Sequence, residues 1–455
     1  MRKLILFVLL LLVMECASLR PGRAKIERQL LDLIKNKAPE GTFLGVSVVD
    51  VNGREIFSYN ADKFFVPASC NKLITASASL YWLGSDYRFK TVLLSDSCKN
   101  LYMIASGDPS MTIGDLSELL DRLKVRGDSV WNSIFLVDIA YDTISQGTGW
   151  MWDDRPYYYQ APISSFILNK NMLAADFYYE DSIWKLDIFP PSKLLRIKIK
   201  DLEDTVLHQK TYFKGDTTII ELWGKIDTAS TYHFLRSIKN PRVFFKEQLQ
   251  RILLEKHFAF SNIEIIDSIP ENSIDTILVF ESPPLHFIVR DFLKYSINIY
   301  GEALLKNLGR EFSGRKGNYG DGLKAVDSFL VIAGVQNLFK VVDGSGLSRY
   351  NLSSPKGFVQ LLLFDYSHFP IMPEILSSLP IGGYDGTLKK RQHSIEGAVR
   401  AKTGTMTGVS TLSGYLKTKK GKLLAFSIMA NNYLGSSLKA RELQDSILEY
   451  FYNRF

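Results

Sequence analysis

Three short segments of the 455-residue chain carry side chains that can do chemistry together. Ser69-Cys70-Asn71-Lys72 places a hydroxyl and an amine three residues apart at a predicted helix start. Three residues is just under one helical turn, so both side chains share a face and the Lys72 amine reaches the Ser69 hydroxyl. A lysine amine held neutral by burial or by a second cation acts as a base, and a serine beside it becomes a nucleophile. Ser296-Ile297-Asn298 offers a second hydroxyl and an amide. Lys402-Thr403-Gly404 offers a second amine, on a strand that turns into a hairpin. Each segment is weak evidence alone. Ser353-Ser354-Pro355-Lys356 and Ser436-Ser437-Leu438-Lys439 also fit SxxK, and Ser69-Cys70-Asn71 fits SxN by accident. The first decoy carries Pro just before its Lys, and the second opens the terminal helix with no pocket-forming context. Other chemistries lack their signatures. There is no GxSxG for a Ser-His-Asp hydrolase, no HExxH, no CxxC, and the six histidines are scattered, so no metal site is expected.

The elements that must position these residues follow from periodicity. Ile26, Leu30, Leu33 and Ile34 predict an amphipathic helix over roughly 24–37. Phe43 to Val51 and Glu55 to Tyr59 flank Asn52-Gly53, which predicts a hairpin closed by a type I′ turn. Ser69 to Trp82 reads as a helix. At the other end, Ala398 to Thr403, Val409 to Lys417 and Leu423 to Asn431 read as strands, and Leu438 to Phe451 as a final helix. Two strands from the start and three from the end make one five-stranded sheet covered by helices, an α+β layer. Between them, Leu116, Leu119, Leu120 and Leu123 form a helical stripe. Trp184 to Asp227 is strand-rich, with clean alternation over Leu195 to Lys200, and Asn240-Pro241 caps a helix to about His257.

Composition bounds the rest. With 46% apolar and 23% charged residues the chain is neither disordered nor fibrous, and its length suits two to four domains. The net charge of +7 is interspersed rather than striped, which argues against nucleic acid and only weakly suits an anionic polymer such as cell wall. Arg2 and Lys3 precede the apolar run Leu4 to Met14, and small residues follow at Cys16, Ala17 and Ser18, so residues 1–18 read as a secretory signal peptide. The run is too short to span a bilayer. Cys16 leaves acylation open, and with it a loose membrane association, although Val13-Met14-Glu15 is a poor lipoprotein context. Cys70 and Cys98 make no disulfide framework, and Cys70 reads as a packed small residue.

In the order SxxK, SxN, K[ST]G, the three segments are the serine signature of β-lactamases and penicillin-binding proteins. The chain resembles the class C, low-molecular-mass penicillin-binding proteins, the D-alanyl-D-alanine carboxypeptidase/endopeptidases. The resemblance rests on Pro67-Ala68-Ser69 through Lys72-Leu73, Gly107-Asp108-Pro109-Ser110, Gly149-Trp150-Met151-Trp152-Asp153, Ala161-Pro162-Ile163-Ser164, Asp343 to Arg349, Gly386-Thr387-Leu388 and Lys402 to Thr405. It covers essentially the whole mature chain. More than two hundred residues separate Lys72 from Ser296, unlike a class A β-lactamase. Ile297 departs from the family's usual Asp.

The resemblance implies a β-lactamase/transpeptidase-like five-stranded antiparallel sheet flanked by helices, with two inserted smaller domains. The expected partition is 19–92 and 284–455 for the catalytic domain, 93–148 and 236–283 for one insert, and 149–235 for a β-rich second. It implies cleavage of peptidoglycan stem peptides at D-Ala-D-Ala or at the crosslink, acylation by β-lactam antibiotics, and no cofactor. It gives Ser69 as nucleophile and Lys72 as base. Ser296 relays a proton, Asn298 binds the substrate amide, and Lys402 supplies positive potential. The Thr403 and Thr405 hydroxyls hold the terminal carboxylate, the backbone amides of Ser69 and Thr405 form the oxyanion hole, and Gly404 counts with the substrate-binding residues. Asp138, with Asp142 as rival, Arg349 and Met406 are expected around the diamino acid. Trp150 and Trp152 read more readily as buried anchors of an insert than as a sugar platform, and Asp343 to Gly346 as a tight turn shaping the cleft. A β-lactamase, or a non-catalytic wall-binding protein of the same fold, are the alternatives.

Overall fold

The computed structural model describes residues 20–200, 204–270 and 274–455, so the expected signal segment, with Cys16, lies outside the described residues. Two units divide them.

The first unit takes the N-terminal residues through Pro67, then 353–363 and 380–455. Its sheet runs in the order Val399–Met406, Val409–Lys417, Leu423–Asn431, Phe43–Asp50, Glu55–Tyr59, all antiparallel. The two chain ends therefore share one sheet, joined where Phe43 faces Asn431 and Asp50 faces Leu424. Strands Val409–Lys417 and Leu423–Asn431 are buried along almost their whole length, which requires cover on both faces. Helices Arg20–Lys37 and Leu438–Arg454 bring Leu30, Ile34, Leu443, Ile447 and Phe451 onto Val46, Val48, Leu412 and Phe426. On the opposite face the Tyr415 hydroxyl donates to the Leu362 carbonyl at 2.6 Å, in the helix that starts at Pro355.

The first hairpin departs from its expected turn. Only Gly53 of the Asn52-Gly53 pair takes a positive φ, +83°, whereas a type I′ turn needs both. Asp50 closes a three-residue loop instead. Its amide donates to the Arg54 carbonyl, and its carboxylate accepts the Asn52 and Arg54 amides at 3.1 and 3.0 Å. The strand thus ends at Asp50 rather than Val51.

The second unit comprises residues 68–352 and 364–379. One mixed sheet orders Asn262–Ile266, Ser133–Val137, Leu101–Ile104, Lys90–Asp96 and Ile274–Glu281. Helix Ile113–Val125 buries Leu116, Leu119, Leu120 and Leu123 in the same core as Phe244, Phe245 and Leu249 of helix Pro241–Glu255. Thr112 and Asp115 cap the first helix reciprocally, and the Asn240 side chain caps the second. Two three-stranded sheets carry the strand-rich stretch: 195–200, 217–223 and 208–214, then 232–237, 172–180 and 183–189. Two expected domain boundaries fall inside strands: 92/93 cuts Lys90–Asp96, and 235/236 cuts Tyr232–Ser237. Main-chain pairing carries both strands past the points where the residue pattern changes. Helices Lys72–Leu83, Leu285–Lys294, Asn298–Ser313 and Tyr319–Ile332 pack together and carry the first two motifs.

Candidate active site

Ser69 lies just before the helix predicted to hold it. Residues Ala68–Asn71 form a 3-10 turn, and the α-helix begins at Lys72. The three-residue spacing still works, because Lys72 Nζ is 2.9 Å from Ser69 Oγ. Ala68 takes a φ of +47°, a left-handed conformation that an alanine holds only where its surroundings enforce it. Ser69 is half-buried. Cys70, between the two, is fully buried.

Lys72 is fully buried as well. Its amine donates to Asn298 Oδ1 and to the Ser345 carbonyl, each at 2.6 Å, and stands 5.8 Å from the centre of the Phe292 ring. The two oxygens can only accept. In its neutral form the amine has two N–H groups and one lone pair. With both N–H groups given to these oxygens, the lone pair is turned to the Ser69 hydroxyl, the arrangement a general base needs.

Asn298 opens its helix, and its Nδ2 donates to the Tyr159 carbonyl at 2.8 Å, which fixes the amide with its oxygen towards Lys72. Two residues earlier Ser296 is half-buried with a φ of +59°. Ala68 and Ser296 are thus two strained residues that shortly precede Ser69 and Asn298, the two side chains that meet the Lys72 amine.

The Ser345 carbonyl belongs to a turn that the sequence marked only as a shape. Asp343 accepts the Gly346 amide at 2.8 Å, the Ser348 amide at 2.6 Å and Asn351 Nδ2 at 2.8 Å. Trp150 Nε1 donates at 2.9 Å to Asp343 Oδ2, the oxygen that also accepts the Ser348 amide. Trp150 is therefore an anchor, but Trp152, expected to be buried, is 77% exposed. A residue missed in the sequence stands behind the turn. Glu302, fully buried, accepts the Gly344 and Ser345 amides at 3.2 and 2.8 Å. Burial, and then the neighbouring Asp343 carboxylate, hold its pKa well above the usual carboxylate range. Its signal was its place four residues after Asn298, one helical turn on.

The third motif belongs to the first unit. Lys402 to Met406 lie on the edge strand, with Lys402 opposite Ser413 and Thr405 opposite Ser410. Lys402 is fully buried and its amine donates to the Thr403 carbonyl at 2.8 Å. The Thr403 hydroxyl donates to Thr387 Oγ1 at 2.7 Å, so Gly386-Thr387-Leu388 and Lys402-Thr403-Gly404 meet. Gly404 is buried, Met406 half-buried and Thr405 exposed. The first SxxK decoy resolves here too: Lys356, three residues after Ser353, pairs with Asp62 at 3.0 Å.

Asp138 lines a cleft of the second unit. Its carboxylate pairs with Arg242 at 3.3 Å, in a cleft of about 780 Å³ lined also by Tyr141, Asp142 and Lys316. Ser69, Lys72, Asn298 and Arg349 are not among the residues lining that cleft. The rival Asp142 is engaged by the buried Lys306. Arg349 is half-buried at the end of the Asp343 turn.

A helix-flanked five-stranded antiparallel sheet and a serine held against a buried lysine and an asparagine define a serine hydrolase of the penicillin-recognising kind. Residues 26–452 match the D-Ala-D-Ala carboxypeptidase 3 (S13) family, and the chain belongs to it. It is a serine-type D-Ala-D-Ala carboxypeptidase, and neither the β-lactamase nor the non-catalytic alternative is favoured. It is 25% identical over 443 residues to D-alanyl-D-alanine carboxypeptidase DacB of Haemophilus influenzae, covering 93% of this chain and 92% of that one. It is 29% identical over 451 residues to a D-alanyl-D-alanine carboxypeptidase of an Actinomadura species, covering 91% and 82%. The crystal structure of penicillin binding protein 4 from Haemophilus influenzae shares the fold, with a TM-score of 0.84 at 24% identity over 93% of this chain and 99% of that one. The same protein complexed with a β-lactam superposes with a TM-score of 0.79 at 22% identity, again over 93% and 99%.

Proposed function

We propose that Ser69 attacks the carbonyl of the penultimate D-alanine of a peptidoglycan stem peptide, or of the crosslink bond, and forms an acyl-enzyme. The observation that carries this reading is the Lys72 amine 2.9 Å from Ser69 Oγ, with two carbonyl oxygens taking its N–H groups. Lys72 removes the hydroxyl proton as the Ser69 Oγ–carbon bond forms. As the peptide C–N bond breaks, that proton passes to the leaving amine, with Ser296 as relay. Water then cleaves the ester and returns Ser69. Asn298 holds the substrate amide. Lys402, Thr403, Gly404 and Thr405 serve the same reaction by binding the terminal carboxylate and the oxyanion, a reading supported by the order of the three motifs and by family membership. Arg349 and Met406 contact the diamino acid, whereas the ion pair between Asp138 and Arg242 makes Asp138 the weakest member of that set. The mixed sheet and the two small sheets of the second unit are its inserted lobes.

The chain acts outside the cytoplasm, exported by residues 1–18 and retained in the periplasm or an equivalent space. No helix among the described residues is long and apolar enough to cross a membrane. β-Lactams acylate Ser69, a reading supported by the β-lactam complex of the Haemophilus protein.

Intact mass of the purified protein after penicillin, for wild type and Ser69→Ala, tests this. One drug mass added to wild type alone is expected. An adduct that persists in Ser69→Ala removes Ser69 as nucleophile, and rapid drug turnover without an adduct would point to a β-lactamase.

A further inference from the structure

We propose that Glu302 is a positioning residue for Lys72, acting through the Gly344-Ser345 backbone to aim the lysine amine at Ser69. This rests on the reading of Lys72 as the base. The loop holding the Ser345 carbonyl is tied to the Lys72 helix at Thr75, whose hydroxyl donates to the Gly344 carbonyl at 2.7 Å, and the Ser345 carbonyl itself accepts a Lys72 N–H at 2.6 Å. Its height and direction are set by what holds the adjoining amides. Two are held by Glu302, at 3.2 and 2.8 Å, and the amide on the far side of the carbonyl, Gly346, is held by Asp343. The carbonyl is thus gripped from both of its peptide neighbours.

Glu302 also stands one turn beyond Asn298 on the same helix. That helix therefore serves both carbonyl oxygens named above as accepting from the lysine: Asn298 Oδ1 directly, and the Ser345 carbonyl through Glu302. Lys72 itself comes from a different helix, Lys72–Leu83. The arrangement ties the two motif helices to one turn, so the amine's orientation depends on a carboxyl group that never touches it. The second observation is the cost of keeping the group there. A fully buried acid beside a second carboxylate is expensive, and an apolar residue would fill the space at less cost. Its two amide bonds are what an apolar residue fails to supply.

The test separates acylation from binding. Wild type, Glu302→Gln and Glu302→Leu are compared in stopped-flow acylation by a chromogenic β-lactam, which yields the dissociation constant of the initial complex and the acylation rate constant. The amide keeps one acceptor for two amides, and leucine keeps none. We expect an acylation rate constant about tenfold lower for Glu302→Gln and about a hundredfold lower for Glu302→Leu, with the dissociation constant within twofold of wild type. Thermal melting accompanies each variant, and the two variants together keep the test open should either fail to fold. A rate constant within twofold of wild type in a folded leucine variant overturns the proposal. So does a loss that appears wholly in the dissociation constant. The Ser69→Ala mass experiment is independent of this one: an adduct on Ser69 with unchanged Glu302 variants sinks the positioning role alone, whereas no adduct on Ser69 sinks the reading beneath it.

Discussion

At the scale of single residues, the site is a problem of which atom accepts and which donates. Lys72 faces a hydroxyl and two carbonyl-type oxygens, so a neutral amine is useful there and a permanent cation is not. Lys72→Ala is expected to lower β-lactam acylation by about 10²–10⁴-fold, the usual contribution of a general base. Lys72→Arg is expected to be no better, because the guanidinium stays protonated and has no lone pair to offer. Acylation rates of both variants check this, and substantial activity in the arginine variant would remove Lys72 as the base. Ser69, Lys72 and Asn298 were readable in the sequence because each motif is local and each side chain meets its partner directly. Glu302 and the Ser345 carbonyl were not, since one acts through backbone and the other is backbone, and neither leaves a mark in side-chain type. The Asp138 ion pair was hidden for a related reason: its partner Arg242 is more than a hundred residues away, and only the folded chain brings them together.

At the scale of elements, long periodic segments were foreseen, and two short connections took another form than expected. The strands Val409–Lys417 and Leu423–Asn431 occupy the expected residues, because their register is fixed by burial on both faces. The Asn52-Gly53 turn went wrong because the Asp50 carboxylate offers two amides a better partner than a type I′ turn would. In the segment before Lys72 a 3-10 turn replaces the first helical residues. Gly346 is the element-level constraint there. Its φ is +81°, and a Cβ on it would lie 2.0 Å from the Ala68 carbonyl oxygen, one residue before Ser69. Gly346→Ala must therefore push the Asp343 turn and the Ser69 turn apart. We expect about 1–3 kcal/mol of lost stability together with slower acylation. A variant that melts at the wild-type temperature, or that melts early yet acylates normally, would show that the two turns are not coupled in this way.

At the scale of the whole molecule, the acids buried in the second unit set how stability responds to pH. Burial raises Asp365 to about 8, against a single hydrogen bond from Ser77 Oγ at 2.8 Å that pulls the other way. Asp108 is raised to about 6 for the same first cause. A raised acid holds its proton in the folded state while the unfolded chain has already lost it. Its contribution is therefore fully present below the unfolded value of 3.8 and falls as pH rises, for Asp365 until about 8. Asp321, lowered to about 2 chiefly by Asn318 and Lys324, has the opposite sign: its contribution is present above 3.8 and is lost as pH falls towards 2. The two trends predict greatest stability at about pH 4, with a decline from there to about pH 8 that belongs to the raised acids. Asp365→Asn isolates the larger part of that decline, because an amide cannot ionise. Relative to wild type, the variant's stability is expected to improve by several kcal/mol, about 3–6, between pH 4 and pH 8. At pH 4 it should stand level with or slightly below wild type, since its second amide hydrogen then lacks an acceptor where Asp365 Oδ1 has no partner. Chemical denaturation of both proteins at pH 4, 6 and 8 reads the difference directly. Parallel stability curves would mean that Asp365 is ionised in the native protein, and would place the interior around helix Lys72–Leu83 in contact with water.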